Sequence, residues 1–265
     1  MQTRSIFHYL SLFLALTFFS ADCGRFEDDT VESYGKVQLN FKGVFGADPL
    51  VMLADTYDYE EGMKVRFQLF QFYLSNINLL AKDGTKISLS PVTLVNFEQI
   101  QSGDAAAKGL EFSFEGVPAL EYTGIEMGVG VAPLLNEFQP ADFKVGHPLA
   151  IASNYWSGLS SYIFTKIEGN ADLNGDGNFT EKLTFHIGEK EGVPMYEDIH
   201  FDTNFRIETD QTITLPFQVD LKQVISPSAN SFLDFRTVSQ DHTNQESIYS
   251  FIIGNLKKNA ISLKL

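Results

Sequence analysis

The sequence predicts an all-β protein: a single antiparallel β-sandwich domain with long loops and few short helices. Three observations predict it. Many short segments alternate apolar and polar residues with a period of two. Gly, Pro, Asn and Asp separate these segments. No long stretch combines a 3.6-residue period with helix caps. The chain has 265 residues, 44% hydrophobic and including 24 Phe, which suffices for a packed core in one large domain.

The N-terminus stands apart from that domain. Arg4 precedes a largely apolar run from Ile6 to Phe19, too short for a membrane span and suited to a signal-peptide core. The run ends near Cys23, the only cysteine, so no intrachain disulfide can form. A lone cysteine there reads as a lipoprotein acceptor, although Asp22 precedes it where Ala or Gly is usual. A plain secreted chain is the alternative. Residues 1–22 are then the signal peptide, and residues 23–33, with Glu27, Asp28 and Asp29, an acidic tether.

From residue 34 to 265 the pattern is one β-domain. Residues 36–44 alternate as a half-buried strand. Val65, Phe67, Leu69, Tyr73, Ile77 and Leu79 continue that period up to Asp83 and Gly84, a strong hairpin turn. Ile87 to Phe97 is the return strand. Phe112, Phe114 and Val117 alternate, as do Ile125 and Met127, and later Ile213, Leu215, Phe217 and Val219. Short helical turns are expected at 140–143 and 221–225.

The charge balance excludes some partners. A net charge of -15 argues against nucleic acid, whose phosphates need a concentrated basic surface. No Gly-x-Ser-x-Gly, His-Glu-x-x-His, phosphate loop or dinucleotide fingerprint is present, and Gly128 to Gly130 reads as a strand-end turn. The chain is therefore not expected to be an enzyme.

Two constellations could hold a metal. Asp172, Asn174 and Asp176 occupy the first, third and fifth places of a calcium loop, Gly177 the sixth, and Asn178 offers the seventh-place carbonyl. The twelfth place holds Leu183 instead of a bidentate Glu, and Glu181 comes two positions early. A polar hairpin turn without Ca²⁺ fits the same residues. The histidines of the mature chain, His147, His186, His200 and His242, form no short-range pair, so a shared site must be assembled by the fold.

Four segments carry further motifs. The first is Phe70 to Leu79, with Phe72, Tyr73, Ser75 and Asn76. The second is Tyr122 to Val131 followed by Asn136. The third is Tyr155 and Trp156 with Ser161 to Gly169, and the fourth Phe185, His186 and Gly188. In this order they together resemble the MbnP-like copper-binding proteins, the family of the methanobactin-associated periplasmic protein. His242 and Asn255 fit a weaker C-terminal pattern of that family. Gly158 stands where the family often has a second tryptophan, and Ser161 replaces a glycine.

The resemblance implies an all-β domain that binds copper, with His186 and one or both of His147 and His242, near Trp156, as the candidate site. It also implies a di-haem partner enzyme that oxidises a tryptophan to kynurenine, with Trp156 the sole candidate. The expected function is a copper-binding lipoprotein of the cell envelope, periplasmic or on the outer membrane surface, serving copper acquisition or homeostasis. The alternative is a calcium-stabilised β-sandwich lipoprotein for adhesion or ligand binding.

Overall fold

A computed structural model describes residues 33–189, 195–243 and 245–264. The signal segment, Cys23 and nearly all of the acidic tether lie outside the described residues. Among the described residues there are fourteen strands. They are β1 (Tyr34–Phe45), β2 (Asp48–Pro49), β3 (Tyr57–Asp58), β4 (Lys64–Ala81), β5 (Lys86–Asn96), β6 (Leu110–Pro118) and β7 (Glu121–Val129). Then come β8 (Tyr155–Trp156), β9 (Ser161–Asp172), β10 (Glu181–Gly188), β11 (Glu197–Arg206), β12 (Thr212–Asp220), β13 (Gln240–Asp241) and β14 (Ile261–Leu263).

The strands form two sheets around one apolar core. The smaller runs β14-β12-β1-β2, with β6 also on β1. The larger runs β11-β7-β4-β9-β10-β13, with β3 and β5 on β4. Phenylalanines join the layers: Phe45 of β1 meets Phe67 of β4 at 5.4 Å, and Phe217 of β12 meets Phe201 of β11 at 5.3 Å between ring centroids. Aromatic pairs at this spacing add to the area they bury.

The sandwich is as expected, but its sheets are mixed rather than purely antiparallel. β1 pairs with β12 in parallel from Lys36↔Thr212 to Val44↔Asp220, and β10 pairs with β13 in parallel. Hairpins force antiparallel pairing only between strands joined by a tight turn. These pairs are joined by long excursions, which leave either direction open.

β4 organises the larger sheet. It pairs with β9 over residues 64–72, with β7 over 74–81 and with β5 over 71–80. The Asp83–Gly84 turn closes β4 onto β5 as expected, with Gly84 at φ 90° and the Thr85 amide donating to the Asp83 carboxylate. The simple alternation fails in mid-strand. A register shift between Phe67 and Leu69 changes the phase, and residues 70–75 are all buried. The long segment after Gly130 supplies the second cover: Asn154 donates to the Tyr73 hydroxyl, which itself donates to the Pro148 carbonyl.

Four short α-helices complete the fold: α1 (Gly103–Lys108), α2 (Pro133–Asn136), α3 (Leu221–Ile225) and α4 (Glu246–Asn255). α3 matches the expected turn, and a 3-10 turn at Pro140–Asp142 matches the other. α4 was not expected. Its Tyr249, Ile252 and Ile253 are buried against the core, so tertiary packing, not propensity, holds a β-branched sequence in a helix.

Candidate metal centre

The hairpin of β9 and β10 fixes the site. Its ladder sets His186 opposite Lys166, so Glu168 becomes the diagonal neighbour of His186 on the same face. The His186 Nε2 lies 2.7 Å from Glu168 Oε1. β13 continues the sheet. It pairs Phe185 with Asp241, which sets His242 beside His186 one residue further on. The two imidazole rings meet edge to face, with centroids 5.1 Å apart at 80°.

Trp156 comes from the covering segment. β8 pairs with the start of β9, Tyr155 with Tyr162 and Trp156 with Ser161. The indole lies 6.4 Å from the His186 ring and 6.1 Å from that of His242. The cover is fastened along a polar row that crosses the sheet. Gln71 donates to Asn154, and the Lys166 ammonium donates to the Ser153 carbonyl at 2.6 Å. Trp156 over the two histidines continues the same row.

The electrostatics favour a neutral imidazole. Burial lowers the His186 pKa below its ordinary value, the Glu168 contact opposes this, and Lys166 and His242 lower it further. Burial likewise lowers the Lys166 pKa. A neutral imidazole has a lone pair for a metal. Two imidazoles with nitrogens about 2 Å from a common ion have centroids separated by roughly 4.5–6 Å, and the observed pair falls in that range. Among the described residues no group of three or more His, Cys, Asp and Glu is placed to hold a metal. The donor set is thus two imidazoles beside an indole. Imidazole suits transition metals such as copper and zinc, whereas Ca²⁺ takes six to eight oxygens.

His147 does not join this group. Its ring stacks on Phe143 at 4.4 Å, its Nδ1 accepts from the Leu149 amide, and it lines an apolar pocket of about 500 Å³ with Thr93, Leu94 and Phe112. The turn that carries it is held by other anchors: the Tyr162 hydroxyl donates to the Leu149 carbonyl, as Tyr73 does to Pro148.

The acidic loop between β9 and β10 is organised by one carboxylate. Asp172 is fully buried. Its Oδ1 accepts from the amides of Asn174, Gly175 and Asp176 and its Oδ2 from that of Gly177. Asn174 donates to Asp176, whose other oxygen accepts from the Asn178 amide. Glu181 starts β10 opposite Ala171. The buried charge is satisfied by backbone donors of its own loop.

The MbnP family model matches residues 34–246, which is most of the chain and includes the whole His186, His242 and Trp156 group. The chain belongs to the MbnP family. Among solved structures, MbnP from Methylosinus trichosporium matches with a TM-score of 0.51 and 16% identity, covering 78% of this chain and 80% of that one. At that identity the likeness speaks for the fold. No curated protein matches the chain.

The MbnP-like motifs now have physical roles. Ser75 donates to the Gly130 carbonyl and accepts from the Ala132 amide, tying β4 to the turn that launches the covering segment. Asn136 on α2 accepts from the Tyr162 amide and donates to Ser161 and Glu189, which aligns the Trp156 hairpin. Gly188 lets that hairpin close: a Cβ there would lie 2.5 Å from the Tyr162 carbonyl oxygen and 3.5 Å from the Trp156 ring. At Gly158, the place of the family's second tryptophan, a Cβ would meet nothing within 4 Å. Sequence reasoning gave no role to Glu168, Lys166 or Thr243. Glu168 and Lys166 were within reach, because pairing across the Asp172 loop fixes which residues share a face with His186.

Proposed function

We propose that this MbnP-family protein binds copper between His186 and His242, beside Trp156, as a lipid-anchored protein of the bacterial cell envelope serving copper acquisition or homeostasis. One observation carries the reading: two histidines 56 positions apart in sequence meet at 5.1 Å, with the sole tryptophan against both. Copper bound there would supply a soft, redox-active centre. The chain's own part is to present the neutral His186 imidazole on a sheet face, set His242 beside it and cover both with an indole. The family's association with methanobactin-related systems supports the same reading. The calcium alternative draws less support, since the Asp172 carboxylate is engaged by its own loop.

Titration of the purified protein with Cu(I) against a competing chelator tests the proposal. His186→Ala and His242→Ala should each lose binding while the melting temperature stays near that of the wild type. Unchanged stoichiometry in both variants would refute the assignment. Oxidation of Trp156 by a di-haem partner belongs to this reading and is checked by peptide mass spectrometry on protein from its own host. The anchor is checked separately. Cys23→Ala should move the protein from the membrane to the soluble fraction.

A further inference from the structure

Glu168 makes the one side-chain hydrogen bond of the His186 ring among the described residues, 2.7 Å from Oε1 to Nε2. An ionised carboxylate only accepts, so Nε2 carries the hydrogen and donates it. A neutral imidazole has one N–H, which leaves the lone pair on Nδ1. The backbone beneath the ring is fixed as well. Thr243, in the left-handed region at φ 59°, accepts from the Gly188 amide at 2.9 Å and donates to the His186 carbonyl at 3.3 Å. Thr243 directly follows His242, so the same contact that secures the His186 strand also sets the position of the second histidine. Glu168 is 32% exposed and His186 17%. Their bond therefore lies at the edge of the site, where a carboxylate can act on a ring without being entombed.

We propose that Glu168 is a positioning residue that holds His186 as the Nε2–H tautomer and makes Nδ1 its ligating nitrogen. The ligating role rests on the copper reading; the tautomer does not. A carboxylate behind a ligating imidazole orients the ring and raises the basicity of the nitrogen that faces the metal. His186 is then the preorganised ligand. His242, exposed and just past a strand of two residues, is the adaptable one.

The test uses the ¹⁵N-labelled full chain without metal, above the pH range in which histidine titrates. Long-range ¹H–¹⁵N spectra should show His186 with a protonated Nε2 and an unprotonated Nδ1. Glu168→Ala should replace that pattern with averaged ring shifts. Glu168→Gln keeps an accepting oxygen and should restore it. An Nδ1–H tautomer in the wild type, or identical ring spectra in the wild type and Glu168→Ala, would overturn the positioning role. On addition of Cu(I), the Nδ1 resonance should move while Nε2 stays protonated. Affinity should fall about 10–100-fold in Glu168→Ala and less in Glu168→Gln. Equal affinity in all three proteins, or loss of the Nε2 proton on metal addition, would overturn the ligating assignment. Absence of any Cu(I) binding by the wild type would overturn the copper reading and the ligating role with it, and the metal-free ring spectrum would still judge Glu168 on its own.

Discussion

Among single residues, Asp172 and His186 show how a buried polar group is made tolerable in two different ways. Asp172 is surrounded by four amides of its own loop. Asp172→Ala strips those donors of their acceptor, and hydrogen bonds to charged groups are worth about 1.5–3 kcal/mol each before the loop rehydrates. A net loss of about 2–3 kcal/mol is expected in urea unfolding, with Asp172→Asn losing less. His186 instead yields its charge. Its folded pKa lies below the ordinary value, chiefly from burial. Above pH of about 6.5 the ring is neutral in both folded and unfolded chains, and the shift has no effect on stability. As pH falls below that, the unfolded ring takes up a proton first, and stability drops until the folded pKa is passed. The metal-free His186→Asn variant should therefore show a flatter stability curve than the wild type as pH falls below about 6.5. Equal slopes would show that the ring is not desolvated.

At the level of elements, the β9–β10 hairpin does most to build the site, and its quality depends on close approach at its open end. Gly188 ends β10 against the Tyr162 carbonyl and the Trp156 ring. Gly188→Ala forces a methyl into that contact, an overpacking typically costing about 1–3 kcal/mol. It should also shift the Trp156 fluorescence, because the indole must move. Gly158→Ala is the matched control: its methyl meets nothing, and both stability and fluorescence should stay as in the wild type. A Gly188→Ala protein with unchanged fluorescence would mean that the strand end yields rather than the indole.

For the molecule as a whole, closure depends on contacts between distant parts of the chain. β1 finds β12 in parallel across the length of the domain, and α4, which starts at the last residue matched by the family model, seals the core. Ile252 on α4 is fully buried. Ile252→Ala should cost about 2–5 kcal/mol by transfer and cavity terms together. At saturating copper it should leave the stoichiometry unchanged, since α4 contributes no side chain to the Trp156, His186 and His242 group. Urea unfolding and a metal titration on the same preparation check both halves.

What the sequence determined by itself was whatever has a local cause. Alternation marks β1, β6, β7 and β12 because successive residues of a strand face opposite sides, and the hairpin turn marks β5 as the return strand. The Asp83–Gly84 turn and the Asp172 loop follow from side chains that bond their own backbone. The family resemblance pointed to Trp156, His186 and His242, and also to His147, which the fold holds elsewhere. Only the tertiary structure decided the rest. The parallel pairings of β1 with β12 and of β10 with β13 depend on no turn and leave no short-range mark. α4 is a helix because the core accepts its apolar side chains, against the preference of its β-branched residues. The phase of β4 changes at a bulge, and its middle is buried on both faces because a cover arrives from 75 to 83 residues further along. For the same reason His147, alike in sequence to the other histidines, is held elsewhere by Tyr73 and Tyr162. Which imidazoles meet is set by strand register, and register is a property of two segments at once.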